Sequence, residues 1–161
     1  MWQARMPALP MQNHLLSLII FAPLAGAAMT GAEMIVQVLA DEGVDTIFGI
    51  PGAHTYDFID ALHECRDKIR FIVNRHEQGS GYMAYGYAKS TGRVGAFTCV
   101  PGPGVLNAGA ALCTAYGANA PVLCITGNIQ SHNIGRGRGI GGVTVAPPLA
   151  LGAWAGFSGD P

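Results

Sequence analysis

Residues 95–116 read GAFTCVPGPGVLNAGAALCTAY, and their reading decides the fold. The first six residues are small or apolar and predict a strand over 95–100. The apolar run is continuous rather than alternating, as a strand covered on both faces requires. Pro101-Gly102-Pro103-Gly104 makes a rigid turn. Residues 105–116 then predict a helix of small and apolar residues with no charge on any side. A helix without a polar face is expected to be buried all round. One sheet covers only one of its faces, so the opposite face calls for another subunit or domain.

The same strand–turn–helix unit recurs on either side. Thr30 followed by Glu33 is a capping box, and Met34, Ile35, Val38 and Leu39 form an apolar stripe at helical spacing. Residues 46–50 (TIFGI) predict a strand, and Pro51-Gly52 a turn. Residues 56–65 predict a helix with Phe58, Ile59 and Leu62 on one side. Residues 70–73 (RFIV) predict a strand, 77–90 a helix, and 122–126 (VLCIT) a strand. Alternation of this kind implies an α/β protein: a three-layer, doubly wound parallel sheet with helices on both faces. Ligands in such sheets sit at the carboxyl ends of the strands. Four loops fall on that edge: the one beginning Pro51-Gly52-Ala53, the one containing Arg75-His76-Glu77, the PGPG turn, and Gly127-Asn128.

Charge is scarce and uneven. Of the 161 residues 12% are charged, about half the usual share, and 15 of the 19 charges lie between Glu33 and Arg93. None falls between Val94 and Asn133. A net charge of −1 lacks the basic footprint of a nucleic-acid binder. The two arginines in the Gly-rich run at 135–139 are too few to change that. No membrane span is expected: the run at 15–28 (LLSLIIFAPLAGAA) is too short and too broken by Pro and Gly. It has the outline of a signal-peptide core with a weak basic flank; the favoured reading is that translation starts at Met29, with a signal or an extension outside the fold as the alternatives for 1–28. Residues 140–161 read as a tail of low order, which leaves 29–139 as the domain. Cys65, Cys99, Cys113 and Cys124 form no CxxC pair, so zinc spacing is absent. They read as reduced, buried thiols of a cytoplasmic protein.

Motifs that would fix the chemistry are few. There is no P-loop, and no GxGxxG follows the first strand. The one catalytic-looking cluster is Arg75-His76-Glu77, where a strand leads into a helix. Glu77 alone would read as a carboxylate favoured by the helix N-terminus. The small residues after it (Gln78-Gly79-Ser80-Gly81) would let a ligand approach closely.

Four segments together resemble one family: FGIPGAHTYDFIDAL at 48–62, RHEQGSGYMAYGYAKSTGR at 75–93, PGPGVLNAGAAL at 101–112 and NAPVLCITGN at 119–128. In order and spacing they are similar to the amino-terminal, flavodoxin-like pyrimidine-binding domain of thiamine-diphosphate enzymes of the acetolactate synthase type. The resemblance implies thiamine diphosphate as cofactor and a small 2-oxo acid as substrate. Glu77 matches the glutamate that shares a proton with the pyrimidine ring nitrogen. Ile50, Gly52 and Ala53 match the turn beside the cofactor, and Pro103 and Asn107 the loop and helix start lining the same pocket. Ala53 stands where such synthases usually carry a second glycine. Asn128, on the substrate side, stands where they carry glutamine. No GDG motif is present. The resemblance therefore implies that Mg²⁺ and the diphosphate are held by a domain outside this sequence, and that any flavin site lies outside it too. The expected partners are a second copy, as homodimer or tetramer, or a separate diphosphate-binding subunit. The chain on its own is expected to be half of a site: a truncated enzyme, or alternatively a split-subunit binding module.

Overall fold

A computed structural model describes residues 28–133. Four helices alternate with four strands: α1 (Gly31–Asp41), β1 (Thr46–Gly49), α2 (Tyr56–Glu64), β2 (Arg70–Val73), α3 (Glu77–Thr91), β3 (Gly95–Cys99), α4 (Pro103–Gly117) and β4 (Val122–Thr126). The strands form one parallel sheet in the order β2-β1-β3-β4. The readings of 1–28 and 140–161, and that of the 135–139 run, fall outside the described residues apart from Ala28.

Period-two alternation sorts the sheet's side chains into two cores. Ile47, Ala96 and Phe71 face one way and pack with Val36, Leu39, Phe58 and Leu62 of α1 and α2. Phe48, Phe97 and Ile72 face the other way and pack with Ala84 of α3 and Val105 and Ala108 of α4. The result is a three-layer α/β domain, with α1 and α2 on one face and α3 and α4 on the other. The central strands β1 and β3 are buried along their whole length, while β2 and β4 at the edges are only partly covered. Continuous apolar runs thus mean burial on both faces for the two inner strands alone.

Small residues bring the elements unusually close. A Cβ on Gly81 of α3 would lie 2.7 Å from the Ala111 methyl of α4, and one on Gly95 would overlap the Ala84 carbonyl. The capping box at Thr30 and Glu33 forms as expected, both bonds being present at 3.2 and 2.7 Å.

Three expectations change. The apolar stripe of α1 is phased differently: Val36 and Leu39 are buried with Ala32 and Ala40 packed against the core, while Met34, Ile35 and Val38 are exposed. Seven of its eleven residues are apolar, so the sequence offers two faces and only packing selects one. The PGPG motif is half helix: Gly102 takes φ 68° and α4 starts at Pro103, whose missing N–H costs nothing at a helix's first position. Finally, α4 is not buried all round. Leu106 and Tyr116 are 47% and 69% exposed, and Cys113 is exposed as well, against the expectation of a buried thiol. The sheet and α3 cover one side of α4, and nothing among the described residues covers the other. All four cysteines are free, but only Cys99 is buried, Cys65 and Cys124 being half-buried; the neighbouring Cys99 side chain holds the Cys124 thiol well above its usual range.

At the amino ends of the strands Asp45 ties two loops together. Its carboxylate accepts from the Tyr87 hydroxyl at 2.7 Å and from Arg93 Nη1 at 2.7 Å, and Arg93 also donates to the Gly43 carbonyl. The Tyr87 bond, then the Arg93 bond, lower the Asp45 pKa from its ordinary 3.8. Accepting that bond, Asp45 raises the pKa of Tyr87. Because the folded pKa of Asp45 is depressed, its stabilisation is present at neutral pH and is lost as pH falls below about 4 toward the folded value. Asp45→Asn should lower the melting temperature by roughly 2–4 °C at pH 7. The gap from the parent should close in melts run progressively below pH 4.

Candidate functional site

The strand order reverses between β1 and β3: from β1 the chain goes outward to β2, then crosses back to β3 on the other side. Loops leaving β1 and β3 diverge there and open the crevice used for ligands in folds of this topology. The sequence-predicted residues can be placed around it one by one.

The loop after β1 is held against β3. Ile50 N–H donates to the Thr98 carbonyl at 3.4 Å. A Cβ on Gly52 would overlap a methyl of Val100, so only glycine allows this approach. The buried Thr55 closes the turn: its hydroxyl donates to the Gly52 carbonyl at 2.8 Å and accepts from Gly52 N–H at 3.2 Å. Ala53 is exposed on the rim. His54 follows in the left-handed region at φ 66°, its carbonyl pressed against Gly127 at the end of β4.

Glu77 is the first residue of α3. The cap of that helix is its neighbour: His76 is extended (φ −155°, ψ 138°), and its Nδ1 accepts from Gln78 N–H at 3.2 Å. The Glu77 carboxylate is therefore spared from capping. It reaches across to α4, where its Oε2 accepts from Asn107 Nδ2 at 3.1 Å. Its Oε1 faces Gly104: a Cβ there would sit 3.6 Å from Oε1 and 2.8 Å from a Val100 methyl. Glycine at this position keeps space open beside the unpaired side of the carboxylate. Behind Glu77, Asn74 Nδ2 donates to the Ser80 hydroxyl at 2.8 Å, and Asn74 N–H donates to the Gly49 carbonyl at 3.0 Å, which fixes the turn from β2 into α3.

The structure thus brings together Glu77 and Asn107, with Pro103 starting the helix that carries Asn107. Ile50, Gly52 and Ala53 line the adjoining loop. Asn128 stands apart, its Oδ1 accepting from Ile129 N–H at 2.8 Å. Sequence reasoning missed Gly104, the His76 cap and the Thr55 clasp. Gly104 had a readable signal, since a glycine in the first turn of a helix is unfavourable unless something must come close. The spacing Gly52-x-x-Thr55 was a second. Among the described residues no group of three or more His, Cys, Asp or Glu is arranged to hold a metal ion, and no helix is long and apolar enough to cross a membrane.

Comparison with known proteins agrees with this geometry. The family model described as thiamine pyrophosphate enzyme, N-terminal TPP binding domain, matches residues 29–144. The chain belongs to this family. It is 46% identical over 107 residues to the acetolactate synthase large subunit of Haemophilus influenzae, covering 66% of this chain and 18% of that protein. It is 41% identical over 111 residues to the probable 2-ketoarginine decarboxylase AruI of Pseudomonas aeruginosa, covering 69% and 20%. The acetolactate synthase isozyme 3 large subunit of Escherichia coli is 40% identical over 107 residues, covering 66% and 18%. The chain thus spans about a fifth of the length of the curated relatives it matches.

The division of labour at the head of α3 can be tested by melting. His76→Ala removes the cap and should cost about 1 kcal/mol of stability. Glu77→Gln keeps the Asn107 contact and should change stability by less than about 0.5 kcal/mol. A larger loss at Glu77 than at His76 would return Glu77 to a structural role.

Proposed function

We propose that this chain supplies the pyrimidine side of a thiamine diphosphate site in an acetolactate synthase-like enzyme that decarboxylates or joins 2-oxo acids. The observation carrying this reading is the Glu77 carboxylate, oriented by Asn107 with its Oε1 beside Gly104, at the switch point of the sheet. The donor set fits the cofactor's pyrimidine: one oxygen is held by an amide, and the other faces space kept clear by a glycine.

Bound there, thiamine diphosphate would supply the electron sink that decarboxylation or carboligation of a 2-oxo acid requires. The chain's own residues hold and place a proton. Glu77 would share one with a ring nitrogen of the cofactor, a task for which a side chain needs two protonation states. Asn107 fixes the plane of the carboxylate. Ile50, Gly52 and Ala53 would line the cofactor's side of the adjoining loop, and Pro103 sets where α4 begins and hence where Asn107 stands. Asn128 at the end of β4 is kept on the substrate side, its amide nitrogen making no hydrogen bond among the described residues.

Mg²⁺ and the diphosphate would be held by a domain contributed by a second copy or by a separate subunit. The outer side of α3 and α4, where Tyr82, Met83, Leu106 and Tyr116 are 40–69% exposed and Lys89 is the one exposed charge, favours such a partner. An apolar face of this kind on a soluble protein marks an interaction surface. Four free cysteines agree with a cytoplasmic setting.

Glu77→Gln, assayed in an assembly that includes the diphosphate-binding domain, should cut 2-oxo acid turnover by about 100-fold or more with the melting temperature unchanged. Turnover near the parent level would exclude the assigned role. Ala110→Glu places a charge on the exposed side of α4. It should weaken assembly in light scattering while leaving the circular dichroism of the chain unaltered.

A further inference from the structure

We propose that the groove between the end of α2 and the start of β2 binds a small amphipathic anion, a carboxylate or phosphate head on a short apolar body. It lies at the opposite end of the strands from Glu77 and is independent of the cofactor reading. The cavity measures about 390 Å³, within the usual range for small-ligand pockets. Its floor is made by the buried Leu62 and Ile69, and its walls by the half-buried Ile59 and Phe71. Its rim carries Arg66 and Arg70, with His63 beside them.

The charges make the groove more than a surface dent. The one ion pair among the described residues is that of Arg93 with Asp45, so neither Arg66 nor Arg70 is neutralised. Arg66 donates Nη1 to the His63 carbonyl at 2.8 Å, which anchors its guanidinium at the rim and leaves its other donors unused. The Arg70 side chain makes no hydrogen bond among the described residues. The nearby acids Asp60, Glu64 and Asp67 are exposed and do not line the cavity. Both arginines line the same apolar groove, so an anion seated in it would meet two guanidinium groups. A guanidinium presents its donors in a fork that matches a carboxylate or phosphate oxygen pair. The floor would take an alkyl or aryl group, because β2 is the edge of the described sheet and no strand closes that side.

The test is a titration of the ¹⁵N-labelled full chain with hexanoate, with phenyl phosphate and with uncharged hexanamide. The proposal expects saturable amide shifts confined to residues 59–71 with at least one anion, and none at Glu77 or Asn107. Saturation by hexanoate alone assigns the site to carboxylates, by phenyl phosphate alone to phosphate esters, and by both to either anion. The Arg66→Gln/Arg70→Gln double variant should lose at least tenfold in affinity at unchanged melting temperature. Ile59→Trp should fill the groove and abolish saturation; if it does not fold, the double variant decides. Absence of saturable shifts with both anions, equal binding of hexanamide, or undiminished binding by the double variant would overturn the proposal.

Discussion

The close approach of β1 and β3 at their carboxyl ends is the constraint on which the rest of the domain depends. Gly49 lies opposite Thr98, and a Cβ there would come 2.6 Å from the Thr98 methyl and carbonyl. Three residues on, Gly52 lies equally close to Val100. These glycines let two strands buried on both faces carry their following loops side by side before the loops part. A side chain at either position would push the loops apart. It would also shift Gly104, which rests on the other methyl of Val100 and keeps space beside Glu77. The contact comes with a buried Thr98 hydroxyl that has no hydrogen-bond partner among the described residues. Such a group costs about 1–3 kcal/mol, and nothing in the structure explains its retention.

From that contact the layers follow. Phe48 and Phe97 on the neighbouring strands project to the same side and present a floor on which α3 and α4 pack. Those helices can meet through Gly81, Ala84, Ala108 and Ala111 because none of these residues extends far from its backbone. The intimacy of α3 and α4 is also what makes the Glu77–Asn107 bond possible, since the two residues come from different helices 30 positions apart. Structure and candidate site share one cause: small residues where the Glu77 carboxylate is reached from a neighbouring helix. Asp45 and Arg93 join loops at the amino ends of the strands, and Arg66 and Arg70 rim the groove beside β2.

Much of the fold was legible. The strands expected at 70–73 and 122–126 are observed at those limits, and the other two end one residue early. Pro, Gly and capping residues punctuate this sequence strongly, and apolar runs of four to six residues bounded by such signals leave little freedom. The phase of α1 was not legible, because Met34, Ile35 and Val38 satisfy helical spacing as well as Val36 and Leu39 do. Nor was the burial of α4, whose uncharged residues look alike whether they face a sheet or an open surface. In the site, Glu77 drew attention by its position and by the resemblance of its surroundings. Its sequence context alone could not separate it from a capping carboxylate. The difference lies in His76, whose extended backbone turns its ring onto Gln78 N–H.

By itself the sequence determined the alternation of strands and helices, the parallel sheet they imply, the family, and the edge of the sheet on which Glu77 and Asn107 stand. Local signals suffice for these: chain punctuation, periodicity, and a set of short motifs in fixed order. The tertiary structure decided which oxygen of Glu77 is held and which faces Gly104, which faces of α1 and α4 the described residues leave uncovered, and that Arg66 and Arg70 share one apolar groove. Each of these depends on residues distant in the chain being brought within a few ångströms. Such distances are set by how closely backbones can pack, which no single segment encodes.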